Sequence, residues 1–127
     1  MTTLNKARLA ALLAILPGVL SILEGGSVLL GFTTKPYTVL PWLVWYNVAL
    51  GFGAVITGIG IGKQRSWGEH YAATIVSLHA VVLLVLAVLF AFKEQVAIVS
   101  ILAMLFRTSV WIGIIVLLRR DKEEKPV

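Results

Sequence analysis

The chain has 127 residues, of which 59% are hydrophobic and 13% are charged, whereas about 25% of residues are charged in a typical soluble domain. This composition argues against a soluble protein, and the lack of cysteine excludes disulfides, thiolate metal sites and a cysteine nucleophile. The net charge of +5 comes with basic residues that flank apolar runs, so membrane topology explains it better than nucleic-acid binding, and we expect no nucleic-acid partner.

Four apolar runs are each long enough to cross a bilayer as a helix. The first is longer than a signal-peptide core and no A-x-A site follows it, so we expect it to be retained as a span. The short connections favour antiparallel neighbours, which predicts an all-α integral membrane antiparallel four-helix bundle. We expect a single transmembrane domain over 1–127, with helices at about 9–32, 39–62, 67–92 and 96–118 and a charged tail at 119–127.

The first predicted helix carries a carboxylate, Glu24, inside its apolar run. At about 1.5 Å per residue, Glu24 is expected roughly 6 Å from the middle of this span. A carboxylate at that depth costs about 2.5–3.5 kcal/mol unless it is partnered or protonated. Ser21, Ser27 and Gly31 lie on the same helix face as Glu24, because they recur at steps of three and four residues.

The second predicted helix has aromatic residues at its start, as is typical of a membrane interface, with Asn47 just inside them. Three small residues at helical spacing follow Asn47 on the same helix face, namely Gly51, Ala54 and Gly58. Such a stripe is typical of close helix packing in membranes.

The third and fourth predicted helices each place one strongly polar residue deep in an apolar run. His79 lies in the third helix, and His70 lies nine residues earlier, near the membrane interface, so the two cannot clamp one iron within a chain. Arg107 lies near the middle of the fourth helix and shares a face with Ser100 and Trp111.

The distribution of Lys and Arg predicts the orientation in the membrane. Eight basic residues fall on the side that holds both termini and the second connection, against two on the other side. We therefore expect a multi-pass protein of the plasma membrane (the cell inner membrane) with both termini cytoplasmic. The basic residues are Lys6, Arg8, Lys63, Arg65, Arg119, Arg120, Lys122 and Lys125 on the first side, and Lys35 and Lys93 on the other.

The deep polar residues are expected in a band on the order of 10 Å thick. Polar groups in membrane helices rarely face lipid, so we expect one interior cluster with Glu24 and Arg107 as counter-ions, because arginine's planar fork suits a carboxylate. The leading hypothesis is a pocket that binds a small amphipathic molecule, a quinone or a lipid. The expected lining residues are Glu24, Asn47, His79 and Arg107, with Tyr46 and Trp111 beside them.

Several alternatives stay open. The Glu24–Arg107 pair could have a purely structural role, as a buried ion pair that fixes the packing of the bundle, or it could join two protomers. The protein could transport a proton, an ion or a small solute with Glu24 as the titrating group. It could be an intramembrane enzyme of the isomerase type, with Glu24 and His79 as candidate catalytic acid and base. It could also serve within a homo-oligomer or as a subunit of a larger membrane complex.

No metal site is expected, and a haem would need His79 from two protomers.

The first half of the chain resembles the DoxX-like small four-helix membrane proteins over residues 8–65. The matching features are Arg8-Leu9, Gly18, Glu24-Gly25-Gly26, Gly31-Phe32, Tyr37-x-x-Leu40-Pro41 and the glycine-rich stretch from Gly58 to Arg65. The family often has an acidic residue on its second helix, where this chain has Asn47. The resemblance implies a four-helix membrane fold and a component linked to redox or quinone metabolism.

Overall fold

A computed structural model describes residues 2–36, 39–92 and 96–124, with the side chains of 3 and 120–124 excepted. These residues form four helices, each long and apolar enough to cross a membrane. For the described residues, the expectation of an all-helical protein with four helices that are long and apolar enough to span a membrane is therefore confirmed. The helices are α1 (Thr3–Leu29), α2 (Pro41–Gly62), α3 (Ser66–Ala91) and α4 (Ile98–Glu124).

The helices contact one another in a ring. Over the described residues, α1 packs against α2 and α4, and α3 packs against the same two helices, which leaves α1 and α3 on one diagonal. The contact of α1 with α2 is the most extensive, because glycines let the two backbones approach closely. A Cβ atom on Gly51 would lie 2.8 Å from the carbonyl oxygen of Gly18. The small-residue stripe of α2 therefore packs against α1, as its spacing predicted.

The interior contains two apolar clusters. One is rich in alanine and includes Ala10, Ala14 and Ala72 with Trp111, and the other is built around Leu86 and Met104. Many large apolar side chains lie instead on the outside of the bundle, which is the pattern expected for a protein surrounded by lipid.

The first helix begins and ends earlier than the predicted 9–32. It begins at Thr3 because the side chain of Thr2 caps it, accepting a 3.1 Å hydrogen bond from the backbone of Asn5. It ends at Leu29 in a Schellman motif, in which Phe32 N–H donates to Ser27 and Gly31 N–H donates to Val28. Gly31 has φ +81°, a left-handed conformation that glycine adopts without strain.

The other helix ends also differ from the expected positions. Pro41 occupies the first turn of α2, so this helix begins at 41 rather than 39. The last helix spans Ile98–Glu124, so the charged segment that was predicted to be a tail from 119 is helical to 124. Charged residues such as Glu, Lys and Arg are good helix formers, and the helix therefore continues beyond its apolar run. Residues 125–127, Tyr37 of the family motif and Lys93 lie outside the described residues.

Candidate functional site

A cavity of about 120 Å³ lies between α1, the start of α2 and the first half of α4. It lies where α1 ends and where α2 and α4 begin. One part of its lining is polar or charged, and the rest is aliphatic apart from Gly25. The polar residues are Ser21, Glu24, Lys35, Asn47, Ser100 and Arg107, and the others are Gly25, Val28, Val39, Leu40, Leu43, Val44, Val99 and Ala103.

A second, smaller cavity of about 20 Å³ lies in the centre of the bundle and is lined by all four helices. It shares Ser21, Asn47 and Arg107 with the larger cavity, so the two spaces adjoin at these three residues. His79 and Trp111 line only the smaller one. A space of this size is sufficient for about one water molecule.

Glu24 lies at the end of the cavity near the C-terminus of α1. Because α1 ends at Leu29, Glu24 is about 11 Å from the middle of the span Leu4–Leu29, farther than the roughly 6 Å expected from the sequence. Its side chain is 56% exposed, and its carboxylate oxygen Oε1 lies 2.7 Å from Nζ of Lys35, whose side chain is 22% exposed. The carboxylate is thus held by a lysine from the connection that follows its own helix.

The Glu24–Lys35 pair was not foreseen in the sequence. The signal that could have found it is Gly31, because a left-handed glycine after a helix turns the following segment back toward the helix end. Glu24 and Arg107 line the same cavity, and their pairing stays a prediction.

His79 is paired with Tyr46 across the contact between α2 and α3. The hydroxyl of Tyr46 lies 2.7 Å from Nδ1 of His79, and the two rings meet edge to face with centroids 5.7 Å apart. His79 is buried, with 3% of its surface exposed, and lies within about 1 Å of the middle of the span Ser66–Ala91. Tyr46 therefore orients a histidine that borders the central cavity.

Asn47 is the described residue with an unsatisfied buried polar atom. Its side-chain oxygen Oδ1 is buried and has no hydrogen-bond partner among the described residues. Buried polar atoms in folded proteins are nearly always hydrogen-bonded, and an exception calls for a water or ligand that completes the bonding. Asn47 lines both cavities, so such a group would lie at their junction.

The structure divides the residues that the sequence selected between the two cavities, and Tyr46 is not among the lining residues of either one. Glu24, Asn47 and Arg107 line the larger cavity, whereas His79 and Trp111 join Asn47 and Arg107 around the smaller one. Neither of these two cavities is lined by both Glu24 and His79, the proposed acid and base. The sequence pattern did not identify Ser21, Lys35 and Ser100 as lining residues, although the two serines share helix faces with Glu24 and Arg107.

In the part of the chain that the structure describes, no three His, Asp or Glu side chains converge in a way that could hold a metal ion.

No protein-family model, curated protein or solved structure matches this chain. The resemblance to the DoxX-like proteins stays a prediction from the motifs quoted above.

Proposed function

We propose that the protein binds a small amphipathic molecule, a quinone or a lipid, in the cavity between α1, α2 and α4. The observation that carries this proposal is the composition of the cavity lining. Charged and hydrogen-bonding groups from three helices and the connection between α1 and α2 border the same space as a set of aliphatic side chains. A molecule with a polar head and an apolar tail satisfies both kinds of surface.

The size of the cavity limits what it can enclose. Pockets that enclose a whole drug-sized ligand measure about 300–1,000 Å³, whereas an engineered cavity of about 150 Å³ binds benzene. A space of about 120 Å³ therefore suits a head group or a single ring. The tail would extend along the apolar outer surface of the bundle, where Leu30 and Val99 are 72% and 46% exposed.

The site is proposed to lie in the outer half of the plasma membrane, in a single antiparallel bundle with both termini cytoplasmic. Contacts between α1 and α2 support the antiparallel arrangement, because Ala11 approaches Gly62 whereas Gly25 approaches Val44. The excess of Lys and Arg on the side of the termini supports the orientation. A redox role through a bound quinone is the form of this proposal that the DoxX-like resemblance favours.

Transport and catalysis are less well supported by the geometry. Glu24 is half exposed, is paired with Lys35 and lies about 11 Å from the middle of its span, so it is not placed on a path through the centre of the bundle. An acid and base that act on one substrate must both reach it, and Glu24 and His79 line different cavities. Both functions stay predictions.

Native mass spectrometry of the full-length protein, purified in a mild detergent, tests the proposal. We expect the wild-type protein to retain one quinone or lipid molecule, and we expect Arg107→Ala to lose it because the cavity loses its arginine. Arg119→Ala is the matched control, since it removes an exposed arginine from the same helix. Intrinsic tryptophan fluorescence and gel filtration would confirm that Arg107→Ala is folded. Wild-type protein that retains no such molecule and binds none on addition would refute the proposal.

A further inference from the structure

The charges that line the larger cavity do not cancel. Among the described residues of the lining, Lys35 and Arg107 each bring one positive charge and Glu24 brings one negative charge, so these residues have a formal net charge of +1. From this imbalance, and on the basis of the proposed function, we infer that the site selects an amphiphile whose head group carries one negative charge, a carboxylate or a phosphate. An anionic head group would bring the summed formal charge of these residues and the ligand to zero, which favours it over a neutral head group such as a quinone in a low-dielectric environment.

The helix ends around the cavity also make its electrostatic potential more positive. Leu40 immediately precedes α2, Val99 lies in the first turn of α4, and both line the cavity. The N-terminal end of a helix carries a partial positive charge and has backbone N–H groups without intrahelical partners. The C-terminal end of α1 contributes the opposite partial charge near Val28. Two helix N-termini against one C-terminus add to the positive potential.

The polar groups also have suitable chemistry for an anionic head. The guanidinium of Arg107 can donate two parallel hydrogen bonds to a carboxylate or phosphate, and the hydroxyls of Ser21 and Ser100 can donate further ones. The aliphatic lining continues to the outside through Val99, which is 46% exposed. The head group can therefore be held by the donors while its tail leaves the cavity toward lipid.

The Glu24–Lys35 pair provides a test in which two variants change the charge in opposite directions. Glu24→Gln and Lys35→Gln both break the same 2.7 Å ion pair, but the first raises the formal charge of the lining to about +2 and the second lowers it to about 0. If the pair were only structural, the two variants would change ligand affinity in the same direction. If the cavity binds an anion, they must change it in opposite directions.

The experiment measures the affinity of the full-length protein in nanodiscs of neutral lipid for dodecanoate, dodecanol and acetate by isothermal titration calorimetry. We expect dodecanoate to bind at least about tenfold more tightly than dodecanol, because a charge-assisted hydrogen bond is about twice as strong as a neutral one. Glu24→Gln should strengthen dodecanoate binding by about fivefold and Lys35→Gln should weaken it by a similar factor, with dodecanol unchanged. Lys63→Gln, an exposed lysine in another connection, is the control and should have no effect.

The outcomes separate this inference from the proposed function. Equal affinities for dodecanol and dodecanoate would overturn the charge selection while leaving the amphiphile site intact. Effects of the same sign in the two ion-pair variants would also overturn it. Acetate that binds as tightly as dodecanoate would contradict the inference as well, because the tail would then contribute nothing. Binding of none of the three compounds would count against the proposed function itself.

Discussion

Substituting Gly51 by alanine should separate the two helices that form most of the site. A Cβ atom at this position would lie 2.8 Å from the carbonyl oxygen of Gly18 and 2.8 Å from Cγ1 of Ile22. The normal contact distance between non-bonded carbon atoms is about 3.5–4.0 Å, and the carbonyl belongs to the backbone, so it cannot rotate away. Overpacking of this kind costs about 1–3 kcal/mol.

Gly53→Ala is the matched control, because it lies in the same helix and a Cβ atom there meets no heavy atom within 4 Å. Both substitutions gain about 1 kcal/mol of helix propensity, so the difference between them isolates the steric cost. We expect Gly51→Ala to be less stable than Gly53→Ala by about 1–3 kcal/mol. Unfolding of both variants in mixed micelles, followed by tryptophan fluorescence, measures this difference. Equal stability of the two variants would refute the close approach of α1 and α2.

Three further substitutions test individual interactions, each by the same unfolding measurement. Tyr46→Phe removes the partner of the buried His79 and should lower the free energy of unfolding by about 1 kcal/mol; an unchanged value would exclude the bond. Asn47→Leu removes an unsatisfied buried oxygen and should raise stability by about 1 kcal/mol while weakening ligand retention; a less stable variant that keeps its ligand would contradict this. Gln64→Gly should raise the free energy of unfolding by about 1 kcal/mol, because Gln64 has a left-handed backbone with φ +57°. Lys63→Gly is the control and should not stabilise the protein, because Lys63 has φ −85°. Equal effects of the two substitutions would refute the left-handed conformation of Gln64.

The number of helices and several of the cavity-lining residues could be predicted because both depend on residue type and spacing. A deep polar residue in a membrane helix must face other helices, whatever the details of packing. Depth and polarity identified Asn47 and Arg107, which line both cavities, and Glu24 and His79, which each line one. The stripe from Gly51 to Gly58 was likewise assigned to helix packing from its spacing alone.

Helix ends and partners could not be predicted in the same way. Hydrophobicity marks where lipid begins and ends, and the helical backbone continues wherever hydrogen bonds and propensity permit. The segment from 119 to 124 is therefore helical although it is charged. The partner of Glu24 depends on the turn at Gly31, which moves Lys35 back beside α1. Tyr46 was placed beside the site, but its bond to His79 depends on the rotation of α3, and residue spacing does not fix that rotation.

The most direct test of the amphiphile site is photo-crosslinking of the full-length protein with a fatty acid that carries a diazirine near its carboxylate. After proteolysis, mass spectrometry locates the labelled residues. We expect the label to be concentrated on the cavity segments 21–28, 39–47 and 99–107 and to be displaced by excess dodecanoate. Label spread over the lipid-facing surface of α3, around Val81 and Leu84, and not displaced by dodecanoate would contradict it.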